Sequence, residues 1–209
     1  MATYAISSTN LCAVSVQRNT ERSSMVRKAA EFAAKAHEGA LRKGSPIPYI
    51  THPMEVAMIV ALMTEDQDLI AAAYLHDVIE DAGVVYEELE QQFGTRIARL
   101  VRRESEDKSK SWIERKQATI DRLASAGRED KLLAFGDKLS NLRSTAKDYL
   151  VVGDEIWQKF RAKDKKLQAW YYESMVDAFA DFKEYPFYQE YLWLLKLIFG
   201  WKESKCSRK

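Results

Sequence analysis

The sequence predicts an all-α protein built around a helical bundle. Apolar residues recur at helical spacing along most of the chain, as in Val56, Ile59 and Met63, and no segment shows the alternation of a strand. Glycine and proline punctuate the chain between these helical segments. With 209 residues and 46% hydrophobic content, the chain can form one substantial core and a small helical addition.

The first predicted helices flank a loop. An alanine-rich segment from Met25 to His37 forms the first helix, which is expected to end before Gly39. Glycine and two prolines then predict an irregular loop from Arg42 to Tyr49. Pro53 suits the first turn of the second helix. The irregular loop is therefore expected to lead directly into the start of the second helix, at Thr51 and His52.

A third helix is predicted from a capping box formed by Thr64 and Gln67. It is expected to run through His76 and to end at Gly83. The later helices are predicted at Tyr86 to Phe93, Thr95 to Arg103, Trp112 to Ala124, Glu129 to Tyr149, Asp154 to Lys183, and Pro186 to Phe199. Gly94 separates the first two of these, and Gly200 ends the last.

Charge and cysteine content exclude several classes of function. There are 32 Lys and Arg residues against 31 Asp and Glu, so the net charge of +1 predicts no nucleic-acid partner and no anionic membrane partner. The apolar segment from Tyr191 to Trp201 is too short to cross a bilayer. Cys12 and Cys206 belong to no CxxC or Cys/His pair, so neither is expected to bind metal or act in redox chemistry.

The chain ends predict tails without catalytic residues. Residues 1–20 contain no Asp or Glu and no unbroken apolar stretch, which argues against a secretory signal. We expect residues 1–24 to be a disordered tail, with a transit peptide as the alternative, and residues 201–209 to be a basic tail. A cytoplasmic protein is expected.

The chemistry-bearing residues concentrate around the three histidines His37, His52 and His76. His76 begins the sequence His-Asp-Val-Ile-Glu-Asp, which on a helix brings Glu80 and Asp81 to the same side as His76 and Asp77. Burying so many ionisable groups requires a cation or a hydrogen-bond network. The alternative for His76 alone is a core histidine with satisfied hydrogen bonds.

A mononuclear metal site can be assembled from two histidines and two aspartates on three predicted helices. They are His52, His76, Asp77 and Asp137. Two imidazoles and two carboxylates suit manganese or iron and tolerate zinc. Such a set leaves coordination positions for water, as catalytic sites do. The alternative for Asp137 alone is an ordinary acid on a helix surface.

Four sequence blocks, in order, resemble the hydrolase domain of the RelA/SpoT family, and most closely its single-domain small alarmone hydrolases. The resemblance covers Val26 to Lys147. The blocks are His37-x4-Arg42-Lys43 with Pro48-Tyr49-Ile50-Thr51-His52-Pro53; Leu75 to Asp81; Glu106-Asp107-Lys108 with Glu114-Arg115-Lys116; and Gly136 to Arg143. A His-Asp dipeptide alone would be a weak signal, whereas the four blocks together are specific.

The resemblance implies an HD-type helical fold and hydrolysis of the 3′-diphosphate of ppGpp and pppGpp to GDP or GTP and pyrophosphate. It implies one manganese ion held by the four ligands above, with Glu80 and Asp81 as catalytic acids. This agrees with elementary chemistry, because a divalent ion acidifies bound water and polarises a phosphoryl oxygen. A positioned carboxylate can then move the protons of that water.

Basic residues near these blocks are candidates for phosphate recognition. Arg42 and Lys43 lie in the loop, Lys108 in the third block and Lys138 in the fourth, with Arg143 as an alternative to Lys138. Asn141 is a candidate for the sugar or base. A solvated basic rim is the alternative for the cations, and Asn141 could instead cap a backbone group. His37 could support the loop or serve packing alone.

We therefore expect an HD phosphohydrolase domain over residues 25–150, with residues 151–200 forming helices packed on it. Aromatic residues of this C-terminal segment are expected in the core, although a wall of the nucleotide pocket or the face of a homo-oligomer are alternatives. A small-molecule nucleotide is the expected partner. Two other functions stay open, which are an HD phosphohydrolase for NADPH 2′-phosphate or a nucleoside monophosphate and a regulator that binds nucleotide without turnover.

Overall fold

The computed structural model describes residues 24–202, and within that range every regular element is helical. A single isolated bridge between Leu41 and Pro48 closes the loop after the first helix. The helices are α1 (24–36), α2 (Thr51–Ala61), α3 (Gln67–Leu75), α4 (Val78–Asp81), α5 (Tyr86–Glu104), α6 (Trp112–Ser125), α7 (Arg128–Val152), α8 (Lys165–Glu173) and α9 (Pro186–Phe199). The predicted all-α class is confirmed.

The core lies where α2 meets α3 and α7. Helix α3 also packs against α5, and α9 covers α7 from the other side. Gly136 permits the close approach of α2 and α7, because a Cβ atom there would lie 3.1 Å from Val60 Cγ2 and 3.3 Å from Val56 Cγ1. The helix that carries Asp137 is thus held tightly against the helix that carries His52.

The predicted start and end of the third helix are both wrong. The N-cap of α3 is Asp66, whose carboxylate accepts from the backbone N–H groups of Asp68 and Leu69, and not Thr64. The helix ends at Leu75 instead of continuing through His76. The reason is that the His76 ring bonds to the carbonyl oxygen of Ala73, the acceptor that residue 77 would use in a continuous helix.

Gly94 breaks a longer helix without ending it. Its φ of +83° lies inside α5 and produces a kink between the two segments that were predicted as separate helices. The predicted helix from Asp154 to Lys183 is wrong, because this stretch forms the 3-10 turn Gly153–Lys159, helix α8, and the 3-10 turn Ala180–Phe182. Gly153, at φ +57°, ends α7 there. Helix α9 and its left-handed C-cap at Gly200 agree with the prediction.

Most aromatic side chains of the C-terminal segment belong to the core, as predicted. Those that are buried include Trp157, Tyr171, Tyr172, Phe179, Phe182 and Tyr191. Phe135 of α7 joins them, with its ring centroid 5.2 Å from that of Phe179. Trp193 is the exception, because 58% of its surface is exposed. The segment is therefore an integral part of the fold that begins with α1.

Both predicted tails fall largely outside the described residues, which exclude 1–23 and 203–209. Within the described range, none of the helices has the length and apolar content that crossing a membrane requires.

Candidate metal centre and adjoining cavity

Three of the four predicted ligands meet where α2, α3 and α7 come together. His52 is the second residue of α2, His76 follows the last residue of α3, and Asp137 lies within α7. Each of these buried residues offers one donor atom, and the three atoms lie within 4.8 Å of one another. Asp137 Oδ1 is 3.1 Å from His52 Nε2 and 3.8 Å from His76 Nε2.

A hydrogen bond at Nδ1 orients the imidazole ring of His76. The His76 Nδ1 atom is 2.8 Å from the carbonyl oxygen of Ala73, and a carbonyl can only accept, so Nδ1 carries a hydrogen. In the neutral ring, Nε2 then presents its lone pair to the centre. This Nε2 atom is buried with the carboxylate oxygens of Asp77 and Asp137 3.1 and 3.8 Å away, an arrangement of nitrogen and oxygen donors that suits a cation.

The electrostatic field of the centre favours a positive charge at the same place. Burial lowers the pKa of His76, but Asp77 and Asp137 outweigh it and raise the pKa to about 9. The carboxyl pKa of Asp137 is held well below its usual range because Lys138 and the two histidines outweigh the opposing effect of burial. A cation placed between these groups would satisfy both the carboxylates and the imidazole lone pairs.

Asp77, the fourth predicted ligand, faces the histidines but lies outside the group of three. Its Oδ2 atom is 3.1 Å from His76 Nε2 and 3.5 Å from His52 Nε2. The same oxygen accepts a hydrogen bond of 2.7 Å from the hydroxyl of Tyr49. Its role as a ligand stays a prediction, and its position beside both imidazoles is consistent with it.

Tyr49 is a site residue that the sequence analysis did not assign a role. Its hydroxyl lies 2.7 Å from Asp77 and 3.1 Å from Asp81, so it connects a predicted ligand to a predicted catalytic acid. Burial and the neighbouring carboxylates raise the pKa of Tyr49, which keeps the phenol protonated as a donor. Its ring packs on that of His37, with centroids 4.7 Å apart. The signal for this role was its place three residues before His52.

The predicted catalytic acids differ in their surroundings. Burial, followed by the nearby Glu106 carboxylate, raises the pKa of Glu80. Asp81 is more exposed, accepts from Lys108 Nζ at 2.8 Å, and has one oxygen 3.1 Å from the Tyr49 hydroxyl. Lys108 also donates to the Glu80 carbonyl oxygen. Glu80 is thus the acid whose surroundings favour the protonated form, and Asp81 is the acid that is paired with a cation.

The predicted substrate-binding residues surround the centre in two ways. Lys138 is buried and its ammonium pairs with Asp137, while Asn141 donates to the other Asp137 oxygen at 2.5 Å. Arg42 and Lys43 reach the rim from the loop, and Arg42 Nη2 lies 3.4 Å from Asn141 Oδ1. Lys138 is therefore engaged by a predicted ligand, whereas Arg42 and Lys43 lie beside His52 and their role in binding phosphate stays a prediction.

A cavity of about 330 Å³ adjoins the centre and shares residues with it. Glu80, Asp81 and Asn141 line both this cavity and the space around the metal ligands. The cavity also receives side chains from the C-terminal segment. Tyr171 and Tyr172 are among the aromatic residues for which a pocket wall was the alternative prediction, whereas Phe160, Arg161 and Gln168 had no predicted role. Burial and the charges of Arg161 and Lys159 lower the pKa of Lys43, which records a cluster of cations at this rim.

The comparisons with known proteins agree with the geometry. Residues 29–164 match the model of the HD domain family. The chain belongs to the HD domain family. It is 36% identical over 128 residues to the guanosine-3′,5′-bis(diphosphate) 3′-pyrophosphohydrolase MESH1 of Danio rerio, a match that covers 60% of this chain and 71% of that protein. It is thus related to the small alarmone hydrolases, as the sequence blocks predicted.

Two solved structures extend this likeness to the fold. The protein lmo0812 of Listeria monocytogenes is 32% identical, with a TM-score of 0.66 over 72% of this chain and 99% of that one. A metazoan ortholog of SpoT that hydrolyses ppGpp is 27% identical, with a TM-score of 0.57 over 75% of this chain and 94% of that one. The buried His52, His76 and Asp137 group is consistent with the divalent metal site of an HD phosphohydrolase.

Proposed function

We propose that this chain hydrolyses the 3′-diphosphate of the guanosine alarmones ppGpp and pppGpp, releasing pyrophosphate and leaving GDP or GTP. The observation that carries the proposal is the buried group of His52, His76 and Asp137 opening into a cavity rimmed by cations. The relationship to guanosine-3′,5′-bis(diphosphate) 3′-pyrophosphohydrolases supports the choice of substrate.

The donor set fits one divalent ion, and manganese is our choice, with iron or zinc as alternatives. His52, His76 and Asp137 would hold the ion, with Asp77 as the fourth ligand. When bound, such an ion supplies Lewis-acid polarisation of a phosphoryl oxygen and lowers the pKa of water. A set of four protein ligands would leave coordination positions of a six-coordinate ion for water and substrate.

Glu80 is proposed to accept a proton from the attacking water. The water oxygen bonds to phosphorus while the bond from phosphorus to the ribose 3′ oxygen breaks, so that the departing 3′ oxygen takes up a proton. Burial and Glu106 raise the pKa of Glu80, which makes its carboxylate a stronger proton acceptor than an exposed glutamate. Asp81, held by Tyr49 and Lys108, is proposed to assist this transfer.

Substrate recognition is proposed to fall to the loop and to the wall of the cavity. Arg42 and Lys43 would bind phosphate oxygens, with Arg42 able to present two donors at once. Lys108 and Lys138 would offset charge through the acids they already contact. Asn141 lies between Arg42 and Asp137, where it would meet the sugar or base.

The test is release of pyrophosphate from ppGpp by the purified chain with added manganese. We expect turnover with manganese, none after chelation, and none in His76→Ala. Glu87→Gln, an exposed acid on α5, is the control for a charge change away from the site. A panel with pppGpp, NADPH and nucleoside monophosphates decides the substrate. Hydrolysis of NADPH or a monophosphate without ppGpp would refute the alarmone assignment, and binding without any turnover would favour a regulator.

A further inference from the structure

A chain of hydrogen bonds leads from His52 away from the proposed metal. The His52 Nδ1 atom lies 2.8 Å from Ser140 Oγ, and that oxygen lies 2.8 Å from Glu55 Oε2. Glu55 is three residues after His52 on α2, and Ser140 is three residues after Asp137 on α7. The two helices that carry proposed ligands therefore also carry the groups that contact the back of His52.

The direction of these hydrogen bonds follows from the chemistry of the groups. A carboxylate only accepts, so the single hydroxyl hydrogen of Ser140 is donated to Glu55. Ser140 must then accept from His52, which places a hydrogen on Nδ1. In the neutral ring, Nε2 keeps its lone pair, and this is the atom that lies 3.1 Å from Asp137. The hydrogen bonds from His52 through Ser140 to Glu55 thus select the tautomer of His52 that can bind a cation.

Glu55 is itself fixed by a link to the C-terminal helix. Arg143 donates to Glu55 Oε1 at 3.0 Å. The same guanidinium holds Glu190 of α9 through two parallel hydrogen bonds of 2.6 and 2.7 Å. This bidentate geometry restricts the plane of the guanidinium. Glu190 lies beyond residues 29–164, which match the family model.

We propose that Ser140 and Glu55 are positioning residues that hold His52 in its metal-binding tautomer, with Arg143 and Glu190 keeping Glu55 in place. The inference rests on the metal site of the proposed function but not on the identity of the nucleotide. His76 offers an internal contrast, because its Nδ1 is bonded to a backbone carbonyl that no side-chain substitution removes. Removing the hydrogen bonds of Ser140 or Glu55 should therefore change the orientation and tautomer of His52 and leave the orientation of His76 unchanged.

The first measurement is the affinity of the full-length protein for manganese alone, by isothermal titration calorimetry. Ser140→Ala leaves the His52 Nδ1–H without its acceptor, and we expect binding about 10- to 100-fold weaker, the usual effect of losing such a partner. Glu55→Gln should give a smaller loss, and Glu190→Gln a smaller loss again. Thr145→Val is the matched control, since it removes another buried hydroxyl from α7 that bonds to the Asn141 carbonyl.

The second measurement reports the tautomer without metal or turnover. In metal-free protein labelled with ¹⁵N-histidine, long-range ¹H–¹⁵N spectra should show a hydrogen on His52 Nδ1, and Ser140→Ala should change the Nδ1 signal because it removes the acceptor of that hydrogen. An unchanged His52 signature and unchanged manganese affinity in Ser140→Ala would overturn the proposal, as would equal losses in Thr145→Val. If Ser140→Ala does not fold, the partly exposed Glu55→Gln variant decides by the same readouts. Failure to hydrolyse ppGpp would leave this result intact.

Discussion

Replacing Gly136 by alanine tests whether the close packing of α2 on α7 sets the metal centre. The new Cβ would lie 3.1 Å from Val60 Cγ2, 3.3 Å from Val56 Cγ1 and 3.4 Å from the Val56 carbonyl oxygen. Both valines are fully buried, and β-branched side chains rotate poorly about χ1. The contacts must therefore be relieved by moving the helices apart.

The sign of the effect follows from two opposing terms. Alanine in a helix interior gains about 1 kcal/mol over glycine. Overpacking a core costs about 1–3 kcal/mol, and the upper half applies here because the two closest contacts are with fully buried, β-branched side chains. We expect a net loss of about 1–2 kcal/mol in the free energy of unfolding, or about 2–8 °C in Tm for a chain of this length.

Chemical denaturation and manganese titration together provide the assay. A wider gap between α2 and α7 should weaken manganese binding, because His52 and Asp137 lie on those two helices. Adding Val60→Ala should relieve the contact, so that the double variant is more stable than the sum of the single changes predicts by about 1 kcal/mol. Gly127→Ala is the control, since nothing lies near its added Cβ. A Gly136→Ala protein as stable as the parent would refute the reasoning.

Three further substitutions test the roles of individual side chains. Tyr49→Phe removes a hydrogen bond to the Asp77 carboxylate that is worth about 1.5–3 kcal/mol. We expect the affinity for manganese, measured by calorimetry, to fall by a factor of about ten or more, and an unchanged affinity would exclude this role. Glu80→Gln should still bind manganese and nucleotide while turnover falls about a hundredfold; parental turnover in the double variant with Asp81→Asn would exclude both acids. Arg42→Ala should raise KM while manganese affinity stays constant, and unaltered kinetics would remove the loop from the site.

The sequence alone was sufficient for the helical class and for the residue types of the centre. Helical spacing and helix-ending glycines depend on neighbours a few residues apart, so α1, α6, α7 and α9 were predicted close to their observed bounds. The blocks around His52, His76 and Asp137 predicted a metal site, and these three residues do meet. Such local patterns can be identified from the sequence alone.

Tertiary structure decided what depends on residues far apart in the chain. The His52–Asp137 contact spans 85 positions and exists because α2 and α7 pack closely at Gly136. The packing of the C-terminal segment brings Phe160 and Arg161 to the cavity, although the aromatic pattern of that segment predicted a continuous helix. Helical periodicity identifies the buried face of each helix, but the partner of that face is chosen by the packing of the whole chain.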